Sequence, residues 1–372
     1  MPRNVVILGS TGSIGRQALE VIEAQPDLKV VGLSAGSDGA ALTEQADHAG
    51  RASGGEVERA LGEDGSVELA RHPDADIVLN AIVGSAGLRA SIAALESGKT
   101  LALANKESLV AGGEVCLDAA RRGGGRIVPV DSEHAALAHC LEGRDRDSVA
   151  RLILTASGGP FRKKADLTAV TIDDALAHPT WSMGPKITID SATMMNKGLE
   201  IIEAHFLFGF DYDSIDVVIH PQSVVHGAIE LIDGGLILHA APTDMKIPIQ
   251  SALTSPDHVA FDGARIDLAD AGRLTFEYPD HDRFPAIRLA YEVGRRGGTY
   301  PAAMNAANEI AVHAFLAGRI AFTDIVGIAA DAIMHHDSLD AHDLDNVLAA
   351  DRAAREEATK LVDNLARVGT TS

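Results

Sequence analysis

Short apolar runs recur along the first part of the chain, separated by longer stretches that contain helical patterns. Runs of this length that are rich in Val, Ile and Leu are typical of strands buried in a parallel sheet. The predicted strands are residues 4–8, 28–34, 76–80, 100–104, 126–130 and 151–155. Helices are predicted between them at 16–24, 40–49 and 88–97. This alternation predicts an α/β fold with a parallel sheet in its N-terminal part.

Residues 38–73 interrupt this pattern. They are polar and glycine-rich, and apart from the helix at 40–49 they show no apolar periodicity. We therefore expect loop structure over the rest of this segment.

The second half of the chain has a different pattern. Apolar runs at 215–220, 223–232 and 236–240 predict β-strands, and Asp233-Gly234-Gly235 predicts a hairpin between the last two. Antiparallel strands after a parallel half indicate a second domain of α+β type. Residues 257–284 are rich in turn-forming residues and are expected to be a linker. The remaining helical segments predict a C-terminal bundle, at 285–297, 300–317, 322–335 and 341–366.

Composition narrows the class of protein. The chain has 372 residues, 46% hydrophobic and 23% charged, which is typical of a globular protein with two or three domains. A net charge of −21 argues against general affinity for nucleic acid or anionic membranes, and no apolar run is long enough to span a bilayer. No signal-like segment precedes the first strand, so a cytoplasmic location is expected. Cys116 and Cys140 lack metal-type spacing and are expected to be reduced core residues.

The first strand leads into a glycine-rich turn, residues 9–15, and then into a helix. Glycines permit a tight turn and the close approach of a pyrophosphate, which the helix N-terminus attracts. The spacing is G-x-x-G-x-x-G, so a tight turn without a ligand is the alternative. The second strand ends without the acid that binds the ribose of NAD, and residues 36–38 occupy the place where an NADP enzyme holds the 2′-phosphate. Ser37 could donate a hydrogen bond there, whereas Asp38 has the wrong sign for a phosphate.

Charged residues follow two later strands. Residues 105–108 are Asn-Lys-Glu-Ser and residues 131–134 are Asp-Ser-Glu-His. Ligands bind at the carboxyl ends of strands in open α/β sheets, which favours a ligand contact for Lys106 over an ordinary surface lysine. If the second stretch is extended, Asp131 and Glu133 point the same way. They would form a general acid/base pair or two ligands of a hard divalent cation, with helix capping as the alternative.

Residues 190–203 supply a third carboxylate. They predict a single helix that Asp190 or Ser191 caps. Three polar residues share one face of this helix: Asn196, Lys197 and Glu200. Because apolar residues surround them, they predict a phosphate or metal site with its other half elsewhere, and a solvated ion pair is the alternative.

Two irregular stretches complete the candidate chemistry. Small residues at 156–161 leave backbone N–H groups available to an anion. Two prolines and a glycine in 178–186 exclude regular structure, and this loop holds Trp181, the only tryptophan of the chain. A lid over an active site is predicted, with a buried structural tryptophan as the alternative.

Taken together, these segments resemble one family, 1-deoxy-D-xylulose 5-phosphate reductoisomerase. The motifs follow one another in the order of that family and occur in every predicted domain. They are GSTGSIG at 9–15, ANKESLV at 104–110, PVDSEH at 129–134, SGGPF at 157–161, HPTWSMGPKITIDSATMMNKGLEIIEAHFLFG at 178–209, HPQSVVHG at 220–227 and MNAANEIAVHAFL at 304–316.

The resemblance implies an NADP-binding Rossmann-like domain at 1–130 and a catalytic α+β domain at 131–256. It also implies a mobile lid at about 178–190, and a C-terminal helical domain at 285–372 beyond the 257–284 linker, in a homodimer. The implied reaction rearranges 1-deoxy-D-xylulose 5-phosphate to a branched aldehyde phosphate. NADPH then reduces this to 2-C-methyl-D-erythritol 4-phosphate, in non-mevalonate isoprenoid biosynthesis.

The resemblance also implies roles for individual residues. The ligands of Mg²⁺ or Mn²⁺ would be Asp131, Glu133 and Glu200. The phosphate pocket would be formed by Ser157, His178, Ser191, Asn196 and Lys197. Lys106 and Ser132 would meet the hydroxyl end of the substrate, beneath Trp181 and Met183 of the lid. The residues assigned to catalysis are Lys106, Asp131, Glu133, His178 and Glu200. The cofactor contacts would be Thr11, Gly12, Ser13, Ile14, Gly36, Asn105, Glu107 and Gly184, to which the glycine-rich turn adds Gly9 and the hydroxyl donor at the end of the second strand adds Ser37.

The chain departs from the family pattern at a few points. Ser37-Asp38 replaces the basic residue and asparagine common there, the region before Asp76 is short, and Glu203 is a possible substitute for Glu200 as a ligand. The runner-up function is another NADP-dependent α/β oxidoreductase, of the semialdehyde or homoserine dehydrogenase type. A non-catalytic nucleotide-sensing relative is the alternative from a different class.

Overall fold

The computed structural model describes residues 2–369. Ten strands are present in this part of the chain: β1 (Arg3–Leu8), β2 (Leu28–Ala35), β3 (Glu58–Leu61), β4 (Ile77–Asn80), β5 (Thr100–Leu103), β6 (Arg126–Pro129), β7 (Val149–Ala156), β8 (Ile215–Ile219), β9 (Val225–Leu231) and β10 (Leu236–Ala240). The helices are α1 (Ser13–Glu23), α2 (Gly39–Ser53), α3 (Gly62–Leu69), α4 (Leu88–Glu96), α5 (Lys106–Gly123), α6 (Ser132–Leu141), α7 (Ile172–Leu176), α8 (Pro185–Ala192), α9 (Met195–Phe208), α10 (Lys246–Thr254), α11 (Leu268–Ala271), α12 (Ala286–Arg296), α13 (Tyr300–Leu316), α14 (Asp324–Met334) and α15 (Leu344–Gly369). Among the described residues, no helix has the length and apolar character needed to cross a membrane.

The first compact unit is built on a parallel sheet. It comprises Met1–Leu109, Gly113–His139 and Asp244–Arg265. Six parallel strands follow the order β3-β2-β1-β4-β5-β6, so the order reverses between β1 and β4. Ligands bind at such a switch point in open α/β sheets. The predicted Rossmann-like sheet is therefore confirmed.

The prediction of a loop between residues 50 and 73 is wrong. This stretch contains β3, which pairs in parallel with β2, and α3, which packs against β2 and β3. The strand escaped detection because it lies at the edge of the sheet and leaves most of its side chains exposed, so it lacks an apolar run.

The second compact unit contains a mixed sheet and the C-terminal helices. It comprises Val110–Gly112, Cys140–Thr243 and Ile266–Ser372. The strand order is β10-β9-β7-β8, in which the predicted β9–β10 hairpin is antiparallel but β8 runs parallel to β7. Helix α13 is buried along most of its length, and α14 and α15 pack against it. A helix that is buried on most of its sides is expected at the centre of a bundle.

The compact units do not follow the sequence-based domain boundaries. Helix α10, expected in the second domain, packs against α1 in the first unit. Lys246 of α10 forms an ion pair with Glu20 at 2.5 Å, and Gln25 Nε2 donates to Gln250 Oε1 at 3.2 Å. Sequence patterns cannot reveal such a return of the chain, because they report local structure. The division by function into nucleotide-binding, catalytic and C-terminal parts stays a prediction.

The prediction of a single helix at 190–203 is wrong as well. Helix α8 ends at Ala192, and α9 begins at Met195 after Met194 adopts a left-handed conformation with φ of 64°. Asp190 and Ser191 therefore lie in the last turn of α8 and cap nothing. The irregular loop is also shorter than expected, because Pro185 starts α8 at a position that needs no N–H donor.

Candidate active site

The turn between β1 and α1 can only be made by glycine at two positions. Gly9 has φ of +81°, and a Cβ there would lie 2.7 Å from the Ala81 carbonyl oxygen. A Cβ on Gly15 would lie 2.4 Å from the Gly9 carbonyl oxygen. Helix α1 begins after Gly12, and within the described structure no side chain caps it. Its first N–H groups are thus oriented towards an incoming anion, as a pyrophosphate site requires.

Asp38 and Asn105 are occupied within the fold. The carboxylate of Asp38 accepts a hydrogen bond from the Ala41 N–H at 3.0 Å and so caps α2. The negative charge of Asp38, which would repel a phosphate, is thereby used to cap the helix. Asn105 caps α5 by accepting from the Ser108 N–H at 3.0 Å, and its amide donates to the Gly84 carbonyl at 2.8 Å. Its side chain thereby holds the β5–α5 turn in place.

Lys106 and Asp131 lie together because β5 and β6 are neighbours and both residues follow their carboxyl ends. The Lys106 Nζ is 2.6 Å from an Asp131 carboxylate oxygen, and only 8% and 12% of these side chains are exposed. An ordinary surface lysine is thereby excluded. Carboxylate oxygens of Asp131 and Glu133 lie within 4.8 Å of each other.

The local structure around these carboxylates differs from the expectation. Residues 131–134 are not extended, because α6 begins at Ser132 and places Glu133 in its first turn. The Ser132 hydroxyl donates to Glu133 at 2.5 Å. Glu133 thus lies at a helix N-terminus, where a negative charge is favourable.

In the second unit, α9 presents a buried polar cluster. The Lys197 ammonium and the Asn196 amide both donate to the Glu200 carboxylate. The side chains of Lys197 and Glu200 are only 3% and 1% exposed, which excludes the solvated ion pair. Glu203, one turn later, is also fully buried.

Ser157 and His178 form a hydrogen-bonded pair at the end of β7. The Nδ1 atom of His178 accepts from the Trp181 N–H at 2.9 Å, which leaves the proton on Nε2. This Nε2–H then donates to the Ser157 oxygen at 3.1 Å, and the Gly159 N–H donates to the same oxygen at 3.2 Å. Within the described part of the chain, the Ser157 hydroxyl proton has no acceptor. Burial lowers the pKa of His178, which favours this neutral form.

The loop before α8 has the features of a cover. Residues 179–184 form no regular element, and the side chains of Trp181 and Met183 are half-buried. The Trp181 ring meets the His226 ring edge-on, with centroids 6.2 Å apart. A buried structural tryptophan is therefore excluded. Gly184 has no atom within 4 Å of the position that its Cβ would take.

A buried network next to this loop was missed by the sequence analysis. Asp190 is 1% exposed; it forms an ion pair with Lys186 at 2.9 Å and accepts from the Asn308 amide at 2.8 Å. It thus ties α8 to α13. Asn308 belongs to the MNAANEIA motif, so the sequence marked this residue as part of the family pattern. The sequence does not show which residue a buried asparagine contacts.

The switch-point turn and the buried charged clusters define a class, the α/β oxidoreductases with a dinucleotide-binding sheet. Comparison with known proteins narrows this class. Models of 1-deoxy-D-xylulose 5-phosphate reductoisomerase match residues 5–52 and 47–113, and models of its C-terminal domains match 127–208 and 240–357. A 1-deoxy-D-xylulose 5-phosphate reductoisomerase of Mycobacterium bovis (strain BCG / Pasteur 1173P2) is 51% identical, over 99% of this chain and 92% of the relative.

Solved structures that are similar to this chain point to the same family. A Zymomonas mobilis reductoisomerase in complex with NADPH is 41% identical, with a TM-score of 0.88 over 97% of this chain and 99% of that one. A DOX-P reductoisomerase in complex with NADPH, fosmidomycin and magnesium is 36% identical, with a TM-score of 0.90 over 98% and 99%. The chain belongs to the 1-deoxy-D-xylulose 5-phosphate reductoisomerase family, which confirms the resemblance seen in the sequence.

Proposed function

We propose that this protein converts 1-deoxy-D-xylulose 5-phosphate to 2-C-methyl-D-erythritol 4-phosphate, using NADPH and a divalent cation. The observation that carries the proposal is the family membership over nearly the whole chain, and two buried carboxylate–lysine pairs support it, Lys106 with Asp131 and Lys197 with Glu200. The homoserine or semialdehyde dehydrogenase alternative is not favoured, because relatives of about half identity belong to the reductoisomerase family.

NADPH supplies the hydride when it is bound. The β1–α1 turn fits its pyrophosphate, because Gly9 and Gly15 allow the backbone to pack too tightly for a side chain, and α1 begins after this turn without a side-chain cap. The other cofactor contacts assigned by resemblance are Thr11, Gly12, Ser13, Ile14, Gly36, Asn105, Glu107 and Gly184, and Ser37 is assigned from its hydroxyl donor. Asn105 acts through the turn that its side chain fixes.

The divalent cation polarises substrate oxygens when it is bound. We assign its ligands as Asp131, Glu133 and Glu200, a set of oxygen donors that suits Mg²⁺ or Mn²⁺. Each unit pairs a carboxylate with a buried lysine, Asp131 with Lys106 and Glu200 with Lys197. Breaking a buried ion pair is costly, so each lysine offsets the burial of the carboxylate beside it.

The substrate phosphate is assigned to the second unit. Ser157 has a hydroxyl proton left to donate, because both hydrogen bonds to its oxygen come from donors. Lys197 and Asn196 add a positive charge and an amide donor, and Ser191 lies half-exposed near the Ser157 turn. His178 orients Ser157 and does not need to carry a charge to do so. This donor set suits a dianion.

The remaining substrate contacts follow from position. Lys106 and Ser132 are assigned to the hydroxyl end of the substrate, and Trp181 and Met183 of the 179–184 loop are assigned to cover it. Exclusion of water by such a cover strengthens the electrostatic contacts beneath it.

We assign the functional assembly as a homodimer. Strand β10 ends the second sheet and exposes Leu236 and Leu238 on one face, to 55% and 47%. An apolar strand at a sheet edge invites pairing with another chain, and a second copy is the partner that the resemblance implies. Light scattering should give the dimer mass for the native chain and the monomer mass for Leu238→Lys. A native chain that remains monomeric at micromolar concentration would contradict the assignment.

We place the activity in the cytoplasm. Cys116 and Cys140 are buried free thiols, and burial raises their pKa values to about 12 and about 11. Reduced, unreactive thiols suit a reducing compartment. Fractionation of the source cells, followed by immunodetection of the chain, tests this location, and recovery with the membrane or extracellular fraction would contradict it.

The decisive experiment is an assay of NADPH consumption with 1-deoxy-D-xylulose 5-phosphate, followed by identification of the product by mass spectrometry. Turnover should require Mn²⁺ or Mg²⁺, stop on chelation and favour NADPH over NADH. Cofactor binding without turnover under any metal condition would support the nucleotide-sensing alternative instead.

A further inference from the structure

The β2–α2 turn raises a question of selectivity. An NADP-binding Rossmann fold normally places an arginine near the 2′-phosphate of the cofactor. In this chain Gly36, Ser37 and Asp38 occupy that turn, and none is basic. Asp38 caps α2, so its carboxylate is directed to the Ala41 N–H. The positive charge must then come from another element.

Strand β3 supplies a candidate. Its parallel pairing with β2 sets Arg59 beside Leu33, and the end of β3 is tied to the turn by the Gly62 N–H, which donates to the Gly36 carbonyl at 3.2 Å. Arg59 therefore lies beside the carboxyl end of β2. Its guanidinium reaches 3.4 Å from the Thr43 hydroxyl, near the start of α2.

This guanidinium is available to a ligand. Arg59 is exposed, and among the described residues its guanidinium has Thr43 as a hydrogen-bond partner and no carboxylate within ion-pair distance. Two other arginines of this unit already have partners: Arg89 pairs with Asp64 at 2.8 Å, and Arg16 donates to the Thr11 carbonyl. Thr43 is itself fixed, because its hydroxyl donates to the Gly39 carbonyl at 2.8 Å.

We propose that Arg59 is the specificity-determining residue that recognises the 2′-phosphate of NADPH, with Thr43 orienting its guanidinium and Ser37 adding a hydrogen bond. This rests on the proposed function, since it assumes that NADPH is the cofactor. A guanidinium presents paired N–H donors that match phosphate oxygens, which makes it the side chain suited to this role. Recognition from β3 also explains why the turn itself tolerates Asp38.

Isothermal titration of the full-length protein with NADPH and with NADH tests the proposal without relying on turnover. Arg59→Ala should weaken NADPH binding about 10- to 100-fold, as expected for loss of one charge-assisted contact, and leave NADH binding unchanged. Arg59→Lys should restore part of the affinity. Arg51→Ala is the matched control, because Arg51 is an exposed arginine in the last turn of α2, at the end of that helix away from the β2–α2 turn. It should change neither affinity.

The outcomes separate the possible failures. If the native chain binds NADPH tightly and Arg59→Ala keeps the same preference for NADPH over NADH, the inference is wrong while the proposed function stands. If Arg59→Ala weakens both cofactors equally, Arg59 supports the fold of β3 and the inference is again wrong. If the native chain does not bind NADPH, the proposed function fails and the inference fails with it.

Discussion

Replacing Ser157 with alanine removes one hydroxyl whose hydrogen-bond positions the structure defines. The oxygen accepts from His178 Nε2–H at 3.1 Å and from the Gly159 N–H at 3.2 Å, so the proton of the hydroxyl is directed to a further acceptor. We assign that acceptor as a phosphate oxygen of the substrate. The variant therefore loses one hydrogen bond to a charged group and little else, because Ser157 is only half-buried and water can reach its former partners.

The size of the effect follows from that bond. A hydrogen bond to a charged group contributes about 1.5–3 kcal/mol. At about 1.4 kcal/mol per factor of ten, kcat/KM should fall about 10- to 150-fold. The phosphate does not react, so the contact is equal in the ground state and the transition state. The loss should appear in KM, with kcat nearly unchanged.

Steady-state kinetics with varied 1-deoxy-D-xylulose 5-phosphate and saturating NADPH measures this split. Ser148→Ala is the matched control, because Ser148 is half-buried immediately before the other end of β7 and its hydroxyl bonds the Asp145 carbonyl. The control should keep the native KM. An unchanged KM for Ser157→Ala, or a loss confined to kcat, would refute the placement of the phosphate at Ser157.

Other predictions concern His178, Glu200 and Asp190. Burial lowers the pKa of His178, so the neutral ring, whose Nδ1 accepts from the Trp181 N–H, is fully present above the ordinary histidine pKa. This hydrogen bond is lost as the pH falls through the lowered pKa of His178 in the folded protein, because Nδ1 is then protonated. The substrate KM should therefore rise on acidification more steeply in the native protein than in His178→Asn, and parallel pH profiles would contradict this. Glu200→Gln should abolish turnover while the NADPH affinity measured by titration stays native, since the glycine turn belongs to the other compact unit; an equal loss of NADPH affinity would argue against that separation. Asp190→Asn removes the buried carboxylate that lies 2.9 Å from the Lys186 ammonium, so the second unit should lose about 3–5 kcal/mol of stability, and an unaltered urea midpoint in circular dichroism would count against the network.

The sequence determined the parts of this protein that depend on local pattern. The apolar runs identified five of the six strands of the first sheet, because buried parallel strands are apolar along their whole length. The glycines of the β1–α1 turn were recognisable because the backbone geometry there excludes side chains at Gly9 and Gly15. The long motif at 178–209 was specific enough to indicate the family.

Only the tertiary structure decided the rest. Strand β3 is defined by its pairing with β2, and Asp38 is a cap because α2 begins directly after it. The proximity of Asp131 to Lys106 follows from the adjacency of β5 and β6, and the bond from Asn308 to Asp190 joins helices far apart in sequence. A sequence pattern records whether a side chain prefers burial, whereas the partner that makes burial of a charge tolerable is set by which elements pack together.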